Sequence, residues 1–170
     1  LENVLVPTLA ADDAELRQSA ELFAHFMSRI GIQINLSYNN GPAFFDKLER
    51  RQAPMFFLSW IGDYPDAENF LQLFYGPNSS PGPNRSNYRN PEFDALYERI
   101  RVMPDTPERT ALYQAMARIV IADCPWIFAY QHLNVGLRHA WFGNYAMHAF
   151  PYGNEKYYRI NRAGGAGGAR

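Results

Sequence analysis

Asp63 has the side chain whose type and setting best suit ligand binding. It follows an apolar stretch, residues 55–60, and stands in a loop between Trp60 and Tyr64. A carboxylate there can hold a cation in a partly dry cleft, where a charge-assisted hydrogen bond contributes about 1.5–3 kcal/mol. Flanking aromatic rings exclude water and offer cation–π contact. A plain turn that ends in a helix cap at Asp66 explains the same residues, and the local pattern leaves both hypotheses open.

The other reactive side chains form no pattern typical of an enzyme or a metal site. The histidines lack close metal-ligand spacing; they are His25, His132, His139 and His148. His148 with Ser79 or Ser80 would need a Gly-x-Ser-x-Gly elbow to indicate a hydrolase, and the sequence has none. Asp63 and Asp66 form a carboxylate pair, but closeness in sequence does not set the separation that a glycosidase needs. We therefore predict no catalysis, no metal and no cofactor.

Composition and charge limit the kinds of binding partner that the sequence indicates. The 170 residues are 47% hydrophobic, enough for one domain with a sizeable core. Sixteen basic and seventeen acidic residues give a formal net charge of −1, so nothing indicates nucleic acid or an anionic membrane. No apolar run is long enough to predict a membrane span. The single cysteine, Cys124, has no activating neighbour in the sequence and is predicted to be a buried structural thiol.

The first half of the chain follows a strand–helix alternation. Residues 4–6 read as a strand, and apolar residues at helical spacing predict a helix over 16–30, with Asp12 or Asp13 as its N-cap and Gly31 at its end. Alternation predicts a second strand over 32–36. A helix over 43–51, a strand over 55–60 and a helix from Asp66 through Phe74 repeat the pattern. Ligands of such sheets gather beyond the strand ends, where Asp63 lies.

The second half is predicted to be helical and then aromatic. Residues 76–90 are rich in Gly, Pro, Ser and Asn and predict one long loop. Helices are predicted over 91–101 and 106–123, followed by a strand over 126–130. The stretch to residue 158 holds many aromatic and few charged residues, which favours packing against another body.

An ordered set of motifs resembles the peptide-, nickel- and oligosaccharide-binding proteins of ABC importers, the family 5 extracellular solute-binding proteins. The motifs are Trp60-Ile61-Gly62-Asp63-Tyr64-Pro65-Asp66, Asn69-Phe70-Leu71, Asn87-Tyr88-Arg89-Asn90-Pro91-Glu92-Phe93-Asp94, Glu108-Arg109 and Tyr113. The resemblance implies an α/β lobe of a type II periplasmic-binding-protein-like fold. It also implies that the chain is a piece of a longer, two-lobed protein. Residues 1–125 would be second-lobe material, 126–162 a segment returning to a missing first lobe, and 163–170 a flexible Gly/Ala tail.

The resemblance also implies a function. Peptide-binding members hold the ligand's α-amino group with the aspartate that Asp63 matches. Trp60, Ile61, Gly62 and Tyr64 would line the same wall. The chain would capture peptides between two lobes, in the periplasm or on the outer cell surface, and deliver them to ABC permease subunits. The alternatives are an oligosaccharide-binding protein or carbohydrate-binding module, motivated by 15% aromatic content, and a pure interaction surface.

Several matching residues are predicted to be structural rather than ligand-binding. Turn formation, helix capping and contacts between helices explain Asn87, Tyr88, Asn90, Asp94 and Arg109. Asp66 is predicted to cap a helix. Packing is also the preferred role for the late aromatic residues, although they could stack on a ligand; they are Trp141, Tyr145, Phe150, Tyr152, Tyr157 and Tyr158.

Overall fold

A computed structural model describes residues 1–8, 14–131, 133, 135–148, 150 and 153–161. The chain divides into a first unit, Leu1–Ile61 with Asp66–Trp126, and a second unit, Gly62–Pro65 with Ile127–Arg170. The predicted segments 1–125, 126–162 and 163–170 stay predictions. Some sequence predictions fall outside the described residues; they concern Asp12, Asp13, His132, Tyr152 and the tail.

Two parallel strands open the first unit. Strand β1 (Val4–Thr8) pairs with β2 (Leu36–Asn40) in the register Val4 to Leu36, and helix α1 (Ala14–Ser28) lies between them in sequence. The predicted first strand and helix are confirmed over their described residues. The second strand was predicted at 32–36 but begins only at Leu36.

A helix-terminating turn explains that shift. The amide of Ile32 donates to the Met27 carbonyl at 3.0 Å and the amide of Gly31 donates to Ser28 at 3.1 Å, a Schellman motif. Gly31 has a φ of +84°, which favours glycine, so its predicted place at the helix end is confirmed. The turn uses residue 32 to close α1 and thereby delays the strand.

The predicted strand over 55–60 is reduced to a single bridge between Leu5 and Phe56. Leu5 donates to the Met55 carbonyl at 3.0 Å, and Phe57 donates to the Leu5 carbonyl at 3.0 Å. A strand needs a neighbour along its length, and β1 provides one here only at Leu5. The apolar run of 55–60 therefore lies beside β1 only near its start and was predicted too long as a strand.

Helix α2 (Gly41–Glu49) begins two residues before its predicted start. The side chain of Asn40 accepts a hydrogen bond from the Ala43 amide at 3.0 Å and so caps the helix directly after β2. Phe44 and Leu48 are buried against Leu5, which packs the helix on β1.

A short helix, α3 (Glu68–Leu71), continues as a 3₁₀ turn at Gln72–Phe74 and confirms a helical segment after Asp66. A second 3₁₀ turn at Gly76–Asn78 opens the predicted long loop. The loop is ordered around Asn84, which is fully buried. Its side-chain amide donates to the carbonyls of Tyr75 at 3.1 Å and Tyr88 at 2.9 Å.

Helices α4 (Pro91–Ile100) and α5 (Pro107–Asp123) confirm the predicted pair almost to the residue. The side chains of Asn90 and Thr106 accept hydrogen bonds from their first-turn amides and fix both starts. The larger core of the first unit lies between these helices and the segment around α3; its buried members are Leu71, Leu73, Phe74, Tyr75, Phe93, Tyr97, Ile100, Met116 and Val120.

The end of α5 corrects two predictions. Cys124 adopts a left-handed conformation, with φ of 48°, at the C-terminal cap and is exposed, so the predicted burial of its thiol is wrong. The left-handed cap turns the chain out of the helix at the surface. No strand forms at 126–130 either. Trp126 instead packs on Phe74 with ring centroids 4.5 Å apart.

The second unit contains a small hairpin-like pairing. Strand β3 (Phe142–Gly143) is antiparallel to β4 (Arg159–Ile160), and a 3₁₀ turn at Glu155–Tyr157 precedes β4. Phe142 contacts Tyr145 and Tyr158 at ring-centroid distances of 5.8 and 5.2 Å. Within the described parts of the chain, no helix is long and apolar enough to cross a membrane.

Candidate ligand-binding site

A hydrogen bond fixes the indole ring of Trp60. Its indole Nε1 donates to the Asn69 side-chain oxygen at 2.9 Å, and Asn69 on α3 is only 1% exposed. About a third of Trp60 remains open to solvent. This hydrogen bond to the buried side chain of Asn69 restricts the indole ring of Trp60 to one orientation. Part of the ring still remains available for contact.

Asp66 accepts hydrogen bonds through both oxygens of its carboxylate. One of its oxygens lies 2.7 Å from Arg109 Nη1. The other accepts hydrogen bonds from the Tyr113 hydroxyl at 2.7 Å and from the Glu68 amide at 2.9 Å. The amide bond confirms the predicted capping role. The sequence analysis missed the ion pair with Arg109, which no local spacing could indicate because 43 positions separate the partners.

Arg109 connects three elements. It is 9% exposed and its Nε donates to the Ile100 carbonyl at the end of α4 at 2.9 Å. Its own amide donates to the capping hydroxyl of Thr106 at 3.2 Å, which places Arg109 in the first turn of α5. Its guanidinium also lies 5.1 Å from the ring centroid of Tyr113. The predicted contact between helices is thus confirmed and extends to Asp66.

Asp66 and Tyr113 each keep one protonation state at neutral pH. Burial alone would raise the pKa of the Asp66 carboxyl, but hydrogen bonds from Tyr113, the Glu68 amide and Arg109 outweigh it and hold that pKa below its ordinary value. Burial and the hydrogen bond to Asp66 raise the pKa of the Tyr113 hydroxyl. Asp66 is therefore ionised and Tyr113 protonated over the whole physiological range.

The five predicted ligand-binding residues are divided between the two units. Trp60 and Ile61 end one part of the first unit, whereas Gly62, Asp63 and Tyr64 belong to the second. Asp63 is exposed, and Ile61 and Tyr64 are 74% and 43% exposed. The role of these residues in binding stays a prediction.

The residues predicted to be structural have structural partners. Asn87 accepts a hydrogen bond from the Ser80 amide at 3.0 Å, and Asp94 accepts one from the Gly76 amide at 2.8 Å. The Tyr88 hydroxyl and the side-chain amide of Asn90 both donate hydrogen bonds to the carboxylate of Asp123. Their predicted roles in turns, caps and contacts between helices are confirmed.

The histidines and late aromatic residues pack locally where the structure describes them. His139 stacks on Trp141 with ring centroids 5.0 Å apart. His148 Nδ1 accepts a hydrogen bond from the Phe150 amide at 2.9 Å. Among the described residues, no group of three or more His, Cys, Asp or Glu side chains is placed to hold a metal ion.

Part of the chain matches a known protein family. Residues 2–82 match the family described as bacterial extracellular solute-binding proteins, family 5 Middle. The matched range contains the loop with Asp63 and both parallel strands. Over that range the chain is similar to the family 5 solute-binding proteins.

Curated relatives of this chain differ in the ligand that their names state. It is 28% identical to di/tripeptide-binding protein 2 of Pseudomonas aeruginosa, over 74% of this chain and 24% of the relative. It is 26% identical to heme-binding protein A of Haemophilus influenzae, over 71% of this chain and 22% of the relative. The chain thus spans about a quarter of the length of these relatives.

Solved structures confirm the predicted α/β fold of the periplasmic-binding-protein type. The oligopeptide-binding protein AppA of Bacillus subtilis, solved with a nonapeptide, superposes with a TM-score of 0.68 at 17% identity. The match covers 94% of this chain and 31% of AppA. At this identity the likeness concerns the fold.

Proposed function

We propose that this chain is part of the substrate-binding component of an ABC importer and that it binds peptides. The observation that carries the proposal is an exposed aspartate, Asp63, in a loop that lies within the range matching the family 5 solute-binding proteins. The match to this family supports capture of a solute. Since relatives are named for ligands as different as di/tripeptides and haem, the ligand class rests on the chemistry of Asp63.

Asp63 acts as a counter-ion for the free amino terminus of a peptide. Its carboxylate accepts hydrogen bonds from the ammonium group, and Trp60 and Tyr64 supply aromatic surface beside it. The backbone at Ile61 and Gly62 lines the same wall. Closure of two lobes over the ligand removes water and strengthens the charge pair.

The same proposal covers partners and location. The protein works in the periplasm or on the outer cell surface and hands its ligand to the permease subunits of the importer, without catalysing a reaction. Residues 126–162 return to the first lobe, which lies outside this chain. The match to about a quarter of each relative's length supports such a division.

Replacing Asp63 tests the function. In the full-length protein, Asp63→Asn should weaken peptide binding by about 2–5 kcal/mol, the range for removing one partner of a buried charge pair. Isothermal titration calorimetry with trialanine measures the loss. Asp46→Asn removes an equally charged, exposed side chain from α2 and should leave affinity unchanged. Unchanged affinity for Asp63→Asn, which a sugar site would tolerate, contradicts the peptide assignment.

A further inference from the structure

The loop that carries Asp63 is anchored on both sides to α3. The chain leaves the first unit after Ile61 and re-enters it at Asp66. Before the loop, Trp60 donates to Asn69 on α3 at 2.9 Å. After the loop, the Asp66 carboxylate accepts a hydrogen bond at 2.9 Å from the backbone amide of Glu68, which begins the same helix. Both flanks of the loop are therefore hydrogen-bonded to one short helix, in which Asn69 and Leu71 are buried.

A helix of four residues cannot hold these flanks by itself, and Arg109 supplies the missing support. Its ion pair to Asp66, at 2.7 Å, joins the end of the loop to the first turn of α5. Its bond to the Ile100 carbonyl, at 2.9 Å, joins the same point to the end of α4. Helices α4 and α5 thus fix the residue where the loop ends.

The Asp66 carboxylate is fully engaged by the protein itself. Arg109 occupies one oxygen, and Tyr113 and the Glu68 amide occupy the other. The side chains of Arg109 and Asp66 are only 10% and 30% exposed. Asp66 is therefore suited to holding the loop and not to meeting a ligand, which separates its task from that of the exposed Asp63, three residues earlier.

We propose that Arg109, acting through Asp66 and assisted by Tyr113, is a positioning residue that fixes the loop from which Asp63 meets the peptide's amino terminus. This inference rests on the proposed function. A charge-assisted hydrogen bond needs a narrow range of distance and angle. A loop held in its binding conformation loses little conformational entropy when the ligand binds, and release of its end would add that cost.

A double-mutant cycle in the full-length protein separates positioning from general support of the fold. Trialanine affinity is measured by calorimetry for the unmodified protein, Arg109→Met, Asp63→Asn and the double variant. We expect Arg109→Met to weaken binding about tenfold, equivalent to about 1.4 kcal/mol. In the Asp63→Asn background the same change should weaken trialanine binding less than about twofold, because the loop then no longer carries the carboxylate proposed to bind the ligand.

Two further variants keep the test decisive. Tyr113→Phe removes one hydrogen bond to Asp66 and keeps the ring, so it should show the same dependence on Asp63 with a smaller loss, even if Arg109→Met fails to fold. Arg99→Met removes an exposed arginine on α4 and should change nothing. Equal losses in both backgrounds, or no loss from either variant while Asp63→Asn weakens binding, would overturn the positioning role. No effect of Asp63→Asn would overturn the proposed function instead.

Discussion

The two units of the chain differ in how far they bury their apolar residues. In the first unit, Phe44, Phe93, Ile100 and Met116 have no exposed surface. In the second unit, large apolar side chains face solvent, and Leu133, Val135 and Leu137 are 91%, 81% and 97% exposed. Exposed apolar patches of soluble proteins mark surfaces that another body covers. The first unit thus contains its own core, whereas Leu133, Val135 and Leu137 present exposed apolar surface.

The polar groups show the same contrast. In the first unit the buried side chains of Asn69, Asn84 and Arg109 all have hydrogen-bond partners, as buried polar groups require. In the second unit Arg138 and Asn144 bond to backbone carbonyls while exposed. These buried hydrogen bonds favour one arrangement, and Asn69 and Arg109 form theirs with Trp60 and Asp66, the residues that flank the Asp63 loop.

The largest effect is expected from the core of the first unit. Phe93→Ala removes a ring with no exposed surface that packs edge-on against Phe74 and Tyr88. It should lower the free energy of unfolding of the 170-residue chain by about 3–5 kcal/mol. Urea denaturation followed by circular dichroism measures the change. Leu137→Ala is the matched control and should stay within about 0.5 kcal/mol in the same chain. A loss as small for Phe93 as for Leu137 would remove the contrast between the units.

The second-largest effect on stability is expected only in the full-length protein. Leu137→Ala should destabilise the full-length protein by about 2–4 kcal/mol, because cover by the proposed first lobe would turn an exposed leucine into a buried one. Thermal and urea unfolding of the full-length protein provide the measurement. Equal, small effects in the chain and in the full-length protein would show that residues 127–137 stay uncovered.

The smallest effect is a pH dependence confined to the first unit. The pKa of Asp66 is held below its unfolded value of about 3.9, so its stabilising contribution is complete above that pH and is lost as pH falls through the lower folded pKa. Asp66→Asn should therefore flatten the acid limb of stability below about pH 4. Asp46→Asn, at an exposed surface pair, should leave that limb unchanged. Identical acid limbs for both variants would contradict the assigned ion pair.

Local signals predicted the helices of the first unit well. Asn90, Thr106 and Gly31 mark helix ends through their own side chains or backbone freedom, and the structure uses all three. The two apolar runs, 55–60 and 126–130, were wrong as strands because a strand also needs a neighbour, which the run itself does not specify.

The candidate site was predictable only in part. Asp63 and its neighbours were found through their motif and family resemblance, and their role in binding stays a prediction. Arg109 was assigned a contact between helices, yet its partner Asp66 could not be named, because the pairing is set by the packing of α5 on the segment around α3. Long-range ion pairs leave no trace in local spacing.

The most direct test of the central claim compares two ligands on the full-length protein by calorimetry. Trialanine carries the free ammonium group that Asp63 is proposed to hold, and N-acetyltrialanine lacks only that charge. We predict that acetylation abolishes measurable binding or weakens it by about 2–5 kcal/mol. Equal affinity for both peptides, or binding of oligosaccharides with no heat from either peptide, would contradict an ammonium anchor at Asp63.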